Sequence, residues 1–214
     1  MDESIGKQYK TDTLSNIITN LMHVIKEESP ELSDKSIKRE ARRRFINRVD
    51  SSFYCTKNKD VMTFLRNKAF DSELHHLTRT YFYTHEEEWL GFSTISLKIL
   101  QISALETAMK KKLIASSKSP NNIAEIPAYL IAQVAKNENN TLSGFCANDI
   151  LTHAIQEIDN ARNLVGGKIV VLDSVNVEKV IKKYESFGFM KYDALFQSQS
   201  ELQPMFLDIS KIKT

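Results

Sequence analysis

The chain has 214 residues and carries 29 basic and 27 acidic side chains, a formal net charge of +2, so no overall field draws it to nucleic acid or to a membrane surface. At 42% hydrophobic and 26% charged it is ordinary soluble globular material, long enough for one sizeable core and an appendage. No apolar run approaches the roughly 20 residues of a membrane span, and MDESIGKQYK lacks the apolar stretch of a secretory signal. Two cysteines, Cys55 and Cys146, are too few and too far apart for a disulfide framework or a zinc site. A cytoplasmic protein with reduced thiols, no metal and no membrane contact is the expectation.

From Asp12 to Glu28 the residues Leu14, Ile17, Ile18, Leu21, Met22 and Ile25 recur at helical spacing, and Pro30 closes the segment. A second helix follows with Ser33 or Asp34 as its cap. Ile37, Ala41, Phe45 and Val49 line one face, and Lys35, Lys38, Arg39, Arg42, Arg43 and Arg48 line the other. SSFYCT then reads as a short aromatic strand, and a helix beginning near Asp60 carries Val61, Phe64, Leu65 and Phe70. TRTYFYT and WLGFSTISLKIL are β-branched and aromatic, and HEEE between them suits a hairpin. ETAMKKKLIASSKSPNNIAE mixes a short helix with a surface excursion, after which IPAYLIAQVAK is an apolar strand. The turn-prone NENNTLSGFCAND leads into a helix from Asp149 to Leu164, ended by Gly166 and Gly167. KIVVLDSV has the continuous apolar character of a buried parallel strand. NVEKVIKKYESF is helical through Val177, Val180, Ile181 and Tyr184 and stops at Gly188. FMKYDALF and MFLDISKI supply the last strands. A mixed α/β sheet follows, antiparallel at first, then alternating strands with helices, with helices on both faces. Residues 1–50 form a helical N-terminal extension and 51–214 the main domain.

The order of elements from about Asp50 onward resembles the GCN5-related N-acetyltransferase (GNAT) family. IPAYLIAQVAKN resembles the family's fourth strand, whose splayed edge holds the pantetheine arm of acetyl-CoA. VEKVIKKYESFGF resembles its closing helix and turn, a Tyr-Glu-x-x-Gly-Phe signature. FYCTKNKDVMTFLRNKA is similar to the opening segment of the toxin-type acetyltransferases that modify aminoacyl-tRNA. The resemblance implies acetyl-CoA as co-substrate, with pantetheine on the backbone of Ala132, Gln133, Val134 and Ala135. Backbone amides near Val134 would polarise the thioester carbonyl. It also implies that Tyr184 protonates the thiolate that departs when an amine attacks the thioester carbon. A phenol with a pKa of about 10 is protonated at neutral pH and can do this. From spacing alone, Tyr184 is an amphipathic core residue.

In the family the pyrophosphate sits on a loop of backbone amides at a helix N-terminus. The matching stretch is Ser143, Gly144, Phe145, Cys146, Ala147 and Asn148. Ser143 stands at the polar or basic lead position, and Cys146 and Asn148 replace the two later small residues. Amides bind phosphate whatever side chain they carry, whereas a missing glycine can block close approach of the backbone. Taken alone the stretch is an ordinary polar loop before a helix.

His75 and His76 lie at a helix end, and His85 with Glu86, Glu87 and Glu88 at a hairpin turn; nothing spaces them as metal ligands, and solvated surface accounts for both groups. Glu87 or Glu88 would border the acceptor in this fold. Cys146 has no histidine placed beside it and reads as a loop residue, not a nucleophile. The basic helix from Lys35 to Arg48 is either a solvated face or a surface for tRNA phosphates. It is absent from the toxin-type pattern. The expectation is an enzyme that acetylates a primary amine by direct attack in a ternary complex. The acceptor is open among aminoacyl-tRNA, a small amine and a protein N-terminus, an antitoxin partner goes with the toxin-like resemblance, and a homodimer is admissible. The rival is a non-catalytic nucleic-acid- or protein-binding module on a degenerate form of the same fold.

Overall fold

The computed structural model describes residues 9–114, 122–140, 142–192 and 202–212. In chain order the elements are β1 Lys10–Thr13, α1 Leu14–Glu28, α2 Asp34–Ser52, α3 Lys59–Phe64, a π-helical turn Leu65–Ala69, α4 Phe70–Leu74, β2 Thr78–His85 and β3 Glu88–Gln101. There follow α5 Thr107–Ile114, β4 Glu125–Lys136, α6 Ala147–Val165, β5 Ile169–Val175, α7 Glu178–Ser186, β6 Met190–Lys191, β7 Leu202–Asp208 and a 3₁₀ turn Ile209–Lys211. The strands hydrogen-bond in the order β1-β2-β3-β4-β5-β7-β6. β1 with β2, β5 with β7 and β6 with β7 are antiparallel, and β4 with β5 is parallel. This is the mixed α/β sheet expected. The chain divides into two compact units, Met1–Ile95 with Gln133–Ala154, and Ser96–Ala132 with Ile155–Thr214.

In the first unit the caps of α1 and α2 follow from short oxygen-bearing side chains. Thr13 accepts from the Asn16 amide and Ser33 from the Ser36 amide. α1 buries Leu14, Ile18 and Ile25, and α2 buries Ile37, Ala41, Phe45 and Val49. These residues share one apolar cluster with Phe53, Phe82, Trp89 and Phe92, so both helices close the same core as the β2–β3 hairpin. Neighbouring strand residues point to opposite faces. Phe82 accordingly joins the α1–α2 cluster, while Tyr83 joins a second one with Phe145 and Ile150 at the head of α6. Helices therefore cover both faces of this hairpin.

In the second unit, Leu100, Ile102, Leu113, Ala128, Ile169, Val171, Tyr192 and Phe206 form the core. β5 is paired along its whole length with β7, from Ile169↔Asp208 to Val175↔Leu202. Its register with β4 covers only Tyr129↔Val170 and Leu130↔Val171. α6 ends at Gly166 and Gly167, both at positive φ, and the Gly166 carbonyl accepts from the Tyr129 hydroxyl at 2.6 Å.

Three expectations change. SSFYCT is not a strand: α2 runs on to Ser52, and the extended residues after it are held by side chains. The Tyr54 amide donates to Asn137 Oδ1 at 3.0 Å, and the Thr56 and Lys57 amides donate to Glu138 Oε1. The polar segment KTDT, with no strand-like pattern of its own, is β1, because pairing with β2 supplies its backbone partners. Val177 caps α7 and is 53% exposed, so the apolar face of that helix is Ile181 with half-buried Val180 and Tyr184. The excursion after α5 at 115–121, and the strand expected through 193–196, lie outside the described residues, as does most of the N-terminal MDESIGKQYK.

Candidate functional site

Within the second unit β4 and β5 part company. Beyond Leu130↔Val171, Ile131 and Ala132 have no register partner on β5 among the described residues, although β5 runs on to Val175. The cause lies in the backbone. β5 stays with β7, and the inner edge of β4 is left with unpaired amides and carbonyls that an extended amide-bearing ligand can use. Ala132, Gln133 and Val134 are half-buried and Ala135 is buried.

In the first unit the chain leaves β4 at Lys136 and reaches α6 through a loop anchored at both ends. Asn137 is 4% exposed and fully used: Nδ2 donates to Ser52 O at 2.7 Å and Trp89 O at 2.6 Å, and Oδ1 accepts from the amides of Tyr54 and Asn139. At the far end the Phe145 ring is buried between Tyr9, at 5.0 Å, and Tyr83, at 5.8 Å. Tyr83 in turn is fixed by contacts of its hydroxyl with Ser93 Oγ, Ile150 O and His153 Nδ1. Burial, with the nearby Asp149 and Cys146, raises the Tyr9 phenol above its ordinary range.

Between these anchors Ser143, Gly144, Cys146 and Asn148 are exposed. Gly144 has φ +86°, and a Cβ there would meet nothing within 4 Å, so the backbone is open to close approach. Ala147 and Asn148 belong to the first turn of α6, two residues earlier than Asp149. Their amides have no acceptor among the described residues, and the helix dipole adds partial positive charge there. The amide of Cys146 differs, because it donates to Asp149 Oδ2 at 2.8 Å while the Asp149 amide donates to Cys146 O at 3.1 Å. Lys136 supplies the cation that Ser143 does not, its Nζ donating to Phe145 O at 2.9 Å. Open amides, a glycine at positive φ and one ammonium fit a diphosphate; the Asp149 carboxylate does not.

Tyr184 lies on α7 in the second unit. Its ring is half-buried and meets Phe189 edge-on at 5.9 Å, and its carbonyl accepts from the Phe187 and Phe189 amides where the helix ends. Gly188, at φ +88°, makes that turn. The hydroxyl has no hydrogen-bond partner among the described residues, and burial raises its pKa above 10.

No protein-family model matches the chain, and no curated protein matches it in sequence. Solved structures do match. One described as a bacterial toxin superimposes with a TM-score of 0.59 at 19% identity, over 76% of this chain and 84% of its own. AtaT complexed with acetyl-methionyl-tRNAfMet gives 0.58 at 20%, over 77% and 88%. The fold is that of the GCN5-related N-acetyltransferases. A mutant AtaT toxin bound to the C-terminus of the antitoxin AtaR and to acetyl-CoA gives 0.53 at 16%, over 75% and 85%.

The basic helix α2 is partly neutralised by acidic side chains. Arg43 pairs with Glu40 at 2.6 Å, Arg44 with Glu28 at 2.5 Å and Glu40 at 3.0 Å, and Arg42 with Asp71 at 3.4 Å. Hydrogen bonds from Arg43 and Arg44 pull the Glu40 carboxyl down to about 2. The Arg48 guanidinium covers the Trp89 ring at 4.6 Å and donates to Glu87 O. Lys35, Lys38 and Arg39 keep no acidic partner among the described residues. His75, His76 and Glu86 to Glu88 are exposed, and no group of metal-ligating side chains occurs among the described residues. Cys55 and Cys146 are free thiols. No described helix is long and apolar enough to cross a membrane.

Lys136, Asp149, Asn137, Tyr9 and Tyr83 were not singled out from sequence. Only Asp149 left a local trace, as an acidic residue in the first turn of a helix.

Proposed function

We propose that the protein is an acetyl-CoA-dependent N-acetyltransferase that transfers the acetyl group to a primary amine by direct attack in a ternary complex. The observation that carries this is the parting of β4 from β5 after Leu130, which frees the β4 backbone where the resemblance puts the pantetheine arm. The open amides at the head of α6 support it. Bound acetyl-CoA would supply a thioester as acetyl donor. Ala132 to Ala135 would hold its extended arm through backbone hydrogen bonds, with amides near Val134 polarising the carbonyl. Gly144, Ala147 and Asn148 amides and the Lys136 ammonium would hold the diphosphate. Tyr184 would give its phenolic proton to the sulfur as the C–S bond breaks, and the proton that the amine nitrogen loses as the C–N bond forms would leave through water, from which the phenol is restored. Its raised pKa and the lack of a hydrogen-bond partner for its hydroxyl among the described residues suit that role.

The acceptor we favour is the α-amino group of an aminoacyl-tRNA, on the strength of the AtaT complex with acetyl-methionyl-tRNAfMet. Lys35, Lys38 and Arg39 are α2 cations without an acidic partner among the described residues and would meet its phosphates, and an antitoxin is the protein partner by analogy with AtaR. One observation favours the rival binding module, namely the Asp149 carboxylate on the Cys146 amide. A thermal-shift titration with acetyl-CoA separates the two. Saturation a hundredfold above the dissociation constant stabilises a binding protein by about 2.7 kcal/mol. No shift at millimolar concentration leaves the binding module.

A further inference from the structure

We infer that Asp149 is an internal competitor for the cofactor's diphosphate: in the free protein its carboxylate holds the Cys146 amide, and this hydrogen bond must break, or be endured at close range, when the diphosphate binds. The inference rests on the acetyltransferase reading above and adds a residue that weakens cofactor binding instead of supporting it.

Three observations carry it. The Cys146 amide, central in the candidate loop, is among the described residues the one loop donor whose acceptor is a charged group of the chain itself, at 2.8 Å. Amides without an acceptor among the described residues flank it, Gly144 before it and Ala147 and Asn148 after it in the first turn of α6. A diphosphate reaching them comes within a few ångströms of the carboxylate. Among the described residues the single ammonium bonded to the loop, Lys136, offsets one negative charge, and Asp149 already supplies one. The positive end of α6 therefore serves the protein's own anion first. A neutral acceptor at 149 would still cap the helix, because asparagine and serine accept from the same amide, and it would not repel phosphate.

The test is calorimetric titration of the full-length protein and of Asp149→Asn and Asp149→Ser with two probes, acetyl-CoA and S-acetylpantetheine, which lacks the diphosphate. Thermal melts establish that the variants are folded. Both variants are expected to bind acetyl-CoA about tenfold more tightly than the parent, with S-acetylpantetheine unchanged. Equal or weaker acetyl-CoA affinity in folded variants overturns the role of Asp149 and leaves the acetyltransferase reading intact, since the parent still binds. Equal tightening for both probes also overturns it, by showing a general effect on the fold. If neither parent nor variants bind acetyl-CoA, the acetyltransferase reading falls and this inference with it.

Discussion

A Cβ added to Gly91 would lie 2.6 Å from Ile150 Cδ1 and 2.7 Å from Ala135 O, so the head of α6 sits against β3 at a spacing that only glycine allows. Gly91→Ala is predicted to destabilise the protein by about 1–3 kcal/mol, the usual cost of overpacking a tight contact. Because backbone stands on one side, the helix head is the part that yields. Urea denaturation measures the destabilisation, and titration with acetyl-CoA is expected to show weaker binding in the surviving folded fraction.

Asn137 ties three segments to the start of the candidate loop through four side-chain hydrogen bonds. Asn137→Ala removes the side-chain donor to the half-buried Ser52 and buried Trp89 carbonyls and the acceptor for the Tyr54 amide. Each such group costs about 1–3 kcal/mol, partly relieved by water. A total of about 2–4 kcal/mol is expected by denaturant titration, together with faster hydrogen exchange at the Tyr54 amide. A stable variant with unchanged exchange would contradict the role given to this side chain.

Tyr184→Phe keeps the ring on Phe189 and removes the hydroxyl. The predicted result is a fall in kcat of about 10²–10⁴-fold with acetyl-CoA affinity preserved. Burial raises the phenol above 10, so the protonated, active form persists through neutral and mildly alkaline pH. The alkaline limb of the kcat profile should therefore fall only above pH 10 and vanish in the Phe variant. A limb near pH 8 that survives the substitution would assign the proton to another group.

Cations on α2 should divide into two classes. Replacing Lys35, Lys38 and Arg39 together by alanine is expected to weaken tRNA binding and to flatten its dependence on log salt by about 2–3, close to one unit for each phosphate no longer neutralised. Arg43 and Arg44, engaged with Glu28 and Glu40, should affect RNA binding little when replaced. Surface pairs of this kind contribute little stability, about 0–1 kcal/mol. Filter binding at several salt concentrations distinguishes the classes, and an equal effect from both would show that the ion pairs open for RNA.

Where the sequence was legible, periodicity and turn chemistry made it so. Ile37, Ala41, Phe45 and Val49 recur at helical spacing and are all buried, Ser33 caps their helix, and Gly166, Gly167 and Gly188 stand at positive φ where helices end. What stayed hidden depends on partners far along the chain. β1 is strand only because β2 pairs with it, and the aromatic SSFYCT is not strand because Asn137 and Glu138 satisfy its amides. The candidate site was half visible for the same reason. Its loop is proposed from resemblance, whereas Lys136 reaching Phe145 O and the separation of β4 from β5 have no local signature.

The most direct measurement is transfer of labelled acetyl from acetyl-CoA to a panel of acceptors, charged tRNA, small amines and peptide N-termini, by the full-length protein. Label on a primary amine, preferentially that of an aminoacyl-tRNA, with one coenzyme A thiol released per acetyl transferred, is the predicted result. Acetyl-CoA left intact with every acceptor, and no binding by titration, would contradict it and leave a fold that has kept its shape without its chemistry.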